Sequence, residues 1–153
     1  MNDLDDIDLR ILRVLQKNGR ITHSELSEQV NLSPSACHRR VQRLEQTGII
    51  GDYVALLNAR SVARATTVFV EISLSGQADE LLDAFEKAVA KVPDVLECHL
   101  MAGSADYLLK VVARDAEEFA RIHRQSLARL PGVLKMQSSF ALKTVSKTTA
   151  LPI

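Results

Sequence analysis

One stretch limits the possible folds more than any other. It runs from Ser33 to Gly48 and reads Ser-Pro-Ser-Ala-Cys-His-Arg-Arg-Val-Gln-Arg-Leu-Glu-Gln-Thr-Gly. Ser33 is placed to cap a helix whose first position, Pro34, needs no donor. Gly48 can take the left-handed conformation that ends one. Cys37, Val41 and Leu44 recur at i, i+4 and i+7, a single narrow apolar stripe. At about 100° per residue, Ser35, Arg39, Gln42 and Gln46 fall on the opposite side, flanked by His38 and Arg43. That face is rich in donors and has no carboxylate at its centre. Arg and Gln are the side chains that bond bidentately to guanine and adenine edges in a major groove. Taken alone, such a helix is more often a solvated surface element, so its neighbours must decide.

The neighbours favour nucleic acid. Asp5 can cap a first helix reaching about Lys17, with Ile7, Ile11, Val14 and Leu15 as its apolar stripe, and Asn18-Gly19 ends it. Thr22 and Glu25 form a capping box for a second, short helix, with Ile21 and Leu26 at the staple positions. That helix ends near Val30, and Asn31-Leu32 is a tight turn into Ser33-Pro34. Two helices joined in this way behind a supporting first helix predict a helix-turn-helix, in preference to a three-helix interaction module. Residues 49–56 alternate loosely around a turn and predict a short wing or hairpin strand. The candidate DNA contacts are Ser33, Ser35, His38, Arg39, Arg40, Gln42, Arg43 and Gln46. Among them Arg40, at the flank of the apolar stripe, is suited to the DNA backbone or to steadying the unit.

Charge gives a mixed message. The net charge of the 153 residues is zero, and residues 1–60 hold eight Lys/Arg against eight Asp/Glu. The charges are nevertheless sorted. Asp3, Asp5, Asp6 and Asp8 crowd the start of the first helix, where its dipole favours anions. Three arginines fall within five residues on the Ser33–Gly48 helix, and a local patch matters more to DNA than the total does. No apolar run approaches the roughly 18 residues of a membrane span, and the acidic N-terminus is unlike a signal peptide. Two cysteines without metal-type spacing predict a reduced, cytoplasmic protein.

The second half carries a weak internal repeat. Val92-Pro93-Asp94-Val95-Leu96 returns as Leu130-Pro131-Gly132-Val133-Leu134, each copy following an amphipathic helix and opening a strand. The first helix bears Leu81, Leu82, Phe85, Val89 and Val92. The second is capped by Asp115 with Glu118 three residues on, and bears Phe119, Ile122 and Leu130. Strands Thr67–Leu74 and Tyr107–Ala113 precede them. The order βαββαβ predicts a ferredoxin-like sheet with both helices on one face. Its other face is left bare and partly apolar, with Phe69 a candidate, which predicts dimerisation. Between the second and third strands, successive N–H groups around Gly103 and Ser104 can cradle an anion, and Asp106 adds a carboxylate. Together they suit the carboxylate and ammonium of an amino acid, with Met101 facing its side chain. Ser138 interrupts the apolar series Leu134, Met136, Phe140 and Leu142, so Ser138 and Ser139 join the candidates, reaching the site from the same chain or from a neighbouring subunit. The same Gly-Ser-x-Asp pattern is also ordinary hairpin chemistry.

With both halves placed, the chain resembles the Lrp/AsnC family, the leucine-responsive and asparagine-responsive "feast/famine" transcription regulators. In the first half the resemblance is carried by Leu4-Asp5, Asp8, Ile11-Leu12, Asn18-Gly19-Arg20 and Leu32-Ser33-Pro34-Ser35. Arg39-Arg40-Val41, Leu44-Glu45, Gly48-Ile49-Ile50 and Tyr53 continue it. In the second half it is carried by Pro93-Asp94-Val95, Glu97-Cys98, Gly103, Asp106-Tyr107 and Leu130-Pro131-Gly132-Val133. The resemblance implies an α+β chain in three parts. Residues 1–60 are a winged helix-turn-helix domain, 61–146 a ferredoxin-like, RAM-type effector domain, and 147–153 a flexible tail. It implies double-stranded DNA as partner, an amino-acid effector bound at an interface near Gly103, and dimers that assemble into octamers, with no cofactor. The alternative is a nucleoid-architectural protein that wraps DNA without a metabolite. A thiol or metal sensor using Cys37, Cys98, His38 and His99 is disfavoured, because Cys37 sits in a core stripe and Cys98 and His99 point to opposite faces of a strand. An enzyme is disfavoured too, since no nucleophile–base pair, phosphate loop or metal spacing is present.

Overall fold

A computed structural model describes residues 4–153, which leaves Asp3 outside the described residues. The chain forms two units. One runs to Leu56 and also takes in Ser146–Ile153; the other is Leu57–Val145. No helix among the described residues is long and apolar enough to cross a membrane.

The first unit holds α1 (Asp6–Leu15), α2 (His23–Gln29) and α3 (Pro34–Gln46). Each starts where a side chain can satisfy free N–H groups. Asp5 accepts from Ile7 and Asp8 while the Asp8 carboxylate accepts from the Asp5 N–H. Thr22 and Glu25 exchange the same pair of bonds, and Ser33 accepts from Ala36. The α2–α3 turn depends on Asn31, whose φ of 56° is tolerated by the short polar Asn side chain. The turn is closed by the Leu32 N–H donating to the Ser27 carbonyl at 2.9 Å. The core is Ile11, Leu12, Leu26, Val30, Cys37, Val41 and Leu44. On α1 the buried face is rotated from the expected stripe. Ile11 is buried as expected, but its buried companions are Leu12 and the carboxylate of Asp8, while Ile7, Val14 and Leu15 only flank.

The strand expected over residues 49–56 is a correction. Residues 51–58 carry no regular secondary structure, and no ladder partner pairs with them among the described residues. A strand needs a neighbour for its N–H and C=O groups, and this segment has none within its own unit. The tail differs from expectation as well: residues around Leu151 are hydrogen-bonded to α1.

The second unit is the βαββαβ fold. Its elements are β1 (Thr66–Leu74), α4 (Asp79–Val89), β2 (Val95–Leu100), β3 (Tyr107–Ala113), α5 (Ala116–Gln125) and β4 (Val133–Phe140), with a 3-10 turn at Leu127–Arg129. The sheet is antiparallel with order β2-β3-β1-β4. Both helices cover one face. Val68, Val70, Ile72, Tyr107, Leu109 and Val111 of the central strands pack there against Phe85, Val89, Phe119 and Ile122. The opposite face carries Phe69, at 39% exposure, among polar neighbours such as Glu97 and Lys110, which pair at 2.6 Å.

The register settles which way β4 points. Met136, Ser138 and Phe140 pair with Ile72, Val70 and Val68, so they lie on the helix side, and Ser139 pairs with Phe69 on the bare side. Ser138 and Ser139 therefore face opposite ways, as the period of two requires. Ser138 is half-buried, and no buried side-chain polar atom among the described residues lacks a partner, so its hydroxyl poses no unmet demand.

Two glycines have positive φ for separable reasons. Gly48 (φ 73°) ends α3 with open space around it, whereas a Cβ on Gly132 (φ 70°) would sit 2.5 Å from Leu81 Cδ1. Gly48→Ala should cost about 1–2 kcal/mol for the backbone alone. Gly132→Ala should cost a further 1–3 kcal/mol or so, because Leu81 must leave its place. Urea denaturation of the two variants checks the difference, and equal losses would remove the packing component.

Candidate functional site

The α3 surface is built on a buried charge. Asp8 is fully buried, and its carboxylate receives Arg40 Nη1 at 2.8 Å and Arg43 Nη2 from α3. Arg40 also reaches Asp5 at 2.7 Å. The Asp5 carboxyl is held below its usual range, first by the Asp8 backbone N–H and then by the Arg40 guanidinium. An unpaired carboxylate in a protein interior is strongly unfavourable; here two guanidiniums and a backbone N–H satisfy it. The guanidiniums remain partly in water, at 28% exposure for the Arg40 side chain and 51% for Arg43. Arg40 thus steadies the unit, one of the two roles its position suggested. Arg43 differs from expectation: it is committed to Asp8, although half of it remains available outside.

The rest of the expected set stands in solvent. Ser33, Ser35, His38, Arg39, Gln42 and Gln46 are all exposed on one side of α3. Arg39, Gln42 and Gln46 make no hydrogen bond or ion pair through their side chains with any described residue, while Ser33 and Ser35 hydroxyls lie 3.3 Å apart. His38 meets His23 of α2 edge to face, ring centroids 4.9 Å apart. Sequence reasoning missed His23 because its helix position gives no period shared with α3. Cys37 is completely buried beneath this surface, and burial pushes its thiol pKa up.

The loop of the second unit also departs from expectation at its carboxylate. Asp106 Oδ2 accepts the Leu74 N–H at 2.7 Å, and Oδ1 accepts from Gln77 Nε2 at 3.0 Å. Together with Asp106 N–H to Ile72 O and Met101 N–H to Asp106 O, these bonds brace the end of β1 against the β2–β3 hairpin. The carboxylate expected to hold an ammonium is thus tied up in the fold. Between these anchors the N–H groups of Ala102, Gly103, Ser104 and Ala105 donate to nothing among the described residues. Met101 is 43% exposed, and Gly103 and Ser104 are exposed. Gly103 is not in the left-handed region, and a Cβ there would meet nothing within 4 Å, so the loop's own conformation does not demand glycine. Ser138 and Ser139 are not brought to this loop within one chain, since β3 and β1 lie between the hairpin strand β2 and β4.

Beneath the hairpin, Tyr107 is buried with its hydroxyl donating to Glu86 at 2.7 Å. Burial first, and then Glu86, pushes this phenol well above its ordinary pKa. It acts as a fixed donor.

A capped helix-turn-helix and a helix-backed antiparallel sheet define a two-part DNA-binding regulator. The comparisons agree unit by unit. Residues 4–50 match the pattern of a winged helix-turn-helix DNA-binding domain, and residues 67–151 that of the Lrp/AsnC ligand binding domain. The leucine-responsive regulatory proteins of Klebsiella pneumoniae and Escherichia coli K12 are each 42% identical over 151 residues, covering 99% of this chain and 92% of theirs. A Neisseria meningitidis transcriptional regulator solved as a complex with L-methionine superposes with a TM-score of 0.93 at 43% identity, covering 98% and 97% of the two chains. An AsnC-family regulator from Agrobacterium tumefaciens gives 0.94 at 35% identity, covering 97% of each. The chain belongs to the Lrp/AsnC family of transcription regulators, with a DNA-binding helix-turn-helix and a ligand-binding domain.

Two consequences can be measured. Asp8→Ala should destabilise the first unit by about 1.5–3 kcal/mol, the range for hydrogen bonds to charged groups. Arg39→Ala should leave stability within about 0.5 kcal/mol. Equal stability of Asp8→Ala and wild type by thermal unfolding would show the triad to be ornamental. Asp106→Ala should lower the stability of the second unit by a similar 1.5–3 kcal/mol or so, with no ligand present. An unchanged melting profile for that variant would return Asp106 to the ligand.

Proposed function

We propose that this protein is a cytoplasmic, sequence-specific regulator of transcription whose DNA binding or assembly is modulated by a small amino acid. One observation supports the DNA reading above the others: α3 presents Arg39, Gln42 and Gln46 to solvent with no partner among the described residues. Arg39 and Gln42 take the base edges, and Ser33, Ser35, His38 and Gln46 the flanking phosphates and bases. Arg43 turns its exposed half to a phosphate. The copies associate through exposed apolar side chains of the sheet unit, among them Phe69, Leu100 and Leu134, as dimers that go on to octamers. Two recognition helices then prefer a near-palindromic site, with half-sites about one helical turn apart or a multiple of it.

The effector binds at the 101–106 loop. Its carboxylate takes the unengaged N–H groups of Gly103 and Ser104, and Met101 lies against its side chain. Because Asp106 is committed to Leu74 and Gln77, the ammonium finds its partner on a second copy, where Ser139, exposed on the bare face of β4, is the candidate. The L-methionine bound to the Neisseria relative and the leucine response in the names of the curated relatives point to an apolar amino acid. To regulate, the ligand must prefer one assembly over another, and a site completed by a second copy supplies that difference.

Arg39→Ala should lose about 1–3 kcal/mol of DNA affinity and relax preference at one base position. Fluorescence anisotropy at fixed salt reads both, and unchanged affinity with unchanged preference removes Arg39 from the interface. In a thermal-shift screen of the twenty amino acids, an apolar one at ~100 times its Kd should add about 2.7 kcal/mol. A flat screen in which none shifts the transition would sink the effector reading.

A further inference from the structure

We propose that the edge of α1 carrying Arg13 and Gln16 is a receptor for the chain's own segment Ala150–Ile153, which docks along the rim of the groove bordered by Leu4, Leu12, Leu15, Ile49 and Ile50. The docked segment is a latch that ties the DNA-binding unit to the sheet unit a second time. The chain leaves the first unit after Leu56, builds the sheet, and rejoins the first unit at Ser146. What it meets there is a specific clamp. Gln16, the last residue of α1's capping turn, uses both halves of its amide on one residue. Nε2 donates to the Leu151 carbonyl at 3.2 Å, and Oε1 accepts the Leu151 N–H at 2.5 Å. Arg13 Nε donates to the Ile153 carbonyl at 2.6 Å.

The spacing of the two partners matches. Arg13 and Gln16 are three residues apart on α1 and share a face. Residues 151 and 153 are drawn together by a tight turn at Pro152, in which the Ile153 N–H donates to the Leu151 carbonyl at 3.0 Å, and both carbonyls meet donors of α1. Leu151 and Ile153 then border the apolar groove, about 320 Å³ in volume, with Leu4, Leu12, Leu15 and Ile49 on its other walls. Leu151 remains 70% exposed and Ile153 40%. The hold is mainly through the backbone and shallow, which suits a contact that opens readily by local unfolding.

The latched helix is also the one that orients α3. Asp8 stands on α1 and carries Arg40 and Arg43, so the latch and the recognition helix are attached to the same rod. Nothing in the latch depends on what α3 or the 101–106 loop binds.

The test is hydrogen exchange without DNA or amino acid, on the full chain, on Arg13→Ala/Gln16→Ala, and on a chain ended after Val145 with and without those substitutions. In the full chain the Leu151 amide should exchange about tenfold slower than in Arg13→Ala/Gln16→Ala. Both the substitutions and the truncation should speed exchange in 12–16 and 49–53, while 66–74 and 107–113 stay unchanged. In the truncated chain the substitutions should add nothing. Free exchange of Leu151 in the full chain overturns the proposal. So does an equal effect of the substitutions in the truncated chain, since they would then act on α1 itself.

Discussion

The first unit depends on a single carboxylate. Asp8 lies fully buried between α1 and α3, with one oxygen on Arg40 and the other on Arg43. Burying such a group opposes folding unless every lone pair is used, and here the Asp5 N–H takes a further share. Apolar side chains of similar volume would hold two helices together at least as firmly. What they would not do is fix rotation. Ile11, Val41 and Leu44 tolerate a sliding helix, whereas a carboxylate with two guanidiniums from successive turns of α3 allows one setting. The orientation of α3's outer face, and with it the aim of Arg39 and Gln42, follows from this ion triad.

The second unit has its counterpart in Asp106, which holds a strand end and not a helix. Its carboxylate closes the Leu74 N–H that β1 leaves open at its last residue, and Gln77 fixes its second oxygen. Gly132 packs against Leu81 at the start of β4, close to the same end of the sheet, since Val133 pairs with Leu74. This firmness leaves Ala102 to Ala105 as an exposed arc between fixed ends. The proposed effector site gains from such anchoring, because less conformational freedom is lost when a ligand arrives.

What could be read from sequence divides by range. The caps at Asp5, Thr22, Ser33 and Asp115 are contacts within three residues, and the amphipathic helices and the βαββαβ order follow from periods that need no partner. Asp8 looked like one more anion at a helix N-terminus because its partners stand thirty-two and thirty-five residues away, and no local pattern encodes that. The same distance hid the commitment of Arg43. The tie of Asp106 to Leu74 escapes sequence reading for the same reason, its partner being on another strand. Ser138 and Ser139 were grouped by adjacency, but strand parity sends neighbours to opposite faces. The strand expected over 49–56 does not form, because the segment has the composition of a strand and no neighbour to pair with among the described residues, although the unit as a whole matches the winged helix-turn-helix pattern. The tail failed because a polar, Thr/Ser-rich run reads as solvent-facing, while the clamp from Arg13 and Gln16 uses its backbone.

The ion triad also limits the positive charge that α3 can offer to DNA. Of the three arginines on α3, two are balanced by Asp5 and Asp8, and only Arg39 has no carboxylate partner among the described residues. Through α3 a copy therefore offers few cations to phosphates, and each such contact would contribute about one unit to the salt dependence of binding. Weak attraction per copy suits recognition by several linked copies, where the second helix binds at the effective concentration set by the first. In the proposed assembly, non-specific attraction then stays low, and the outcome depends on how many copies are joined and how their helices are spaced. Arg43 sits between the two regimes. With half its surface in water it can share its charge between Asp8 and a phosphate, gaining the second without losing the orientation the first provides.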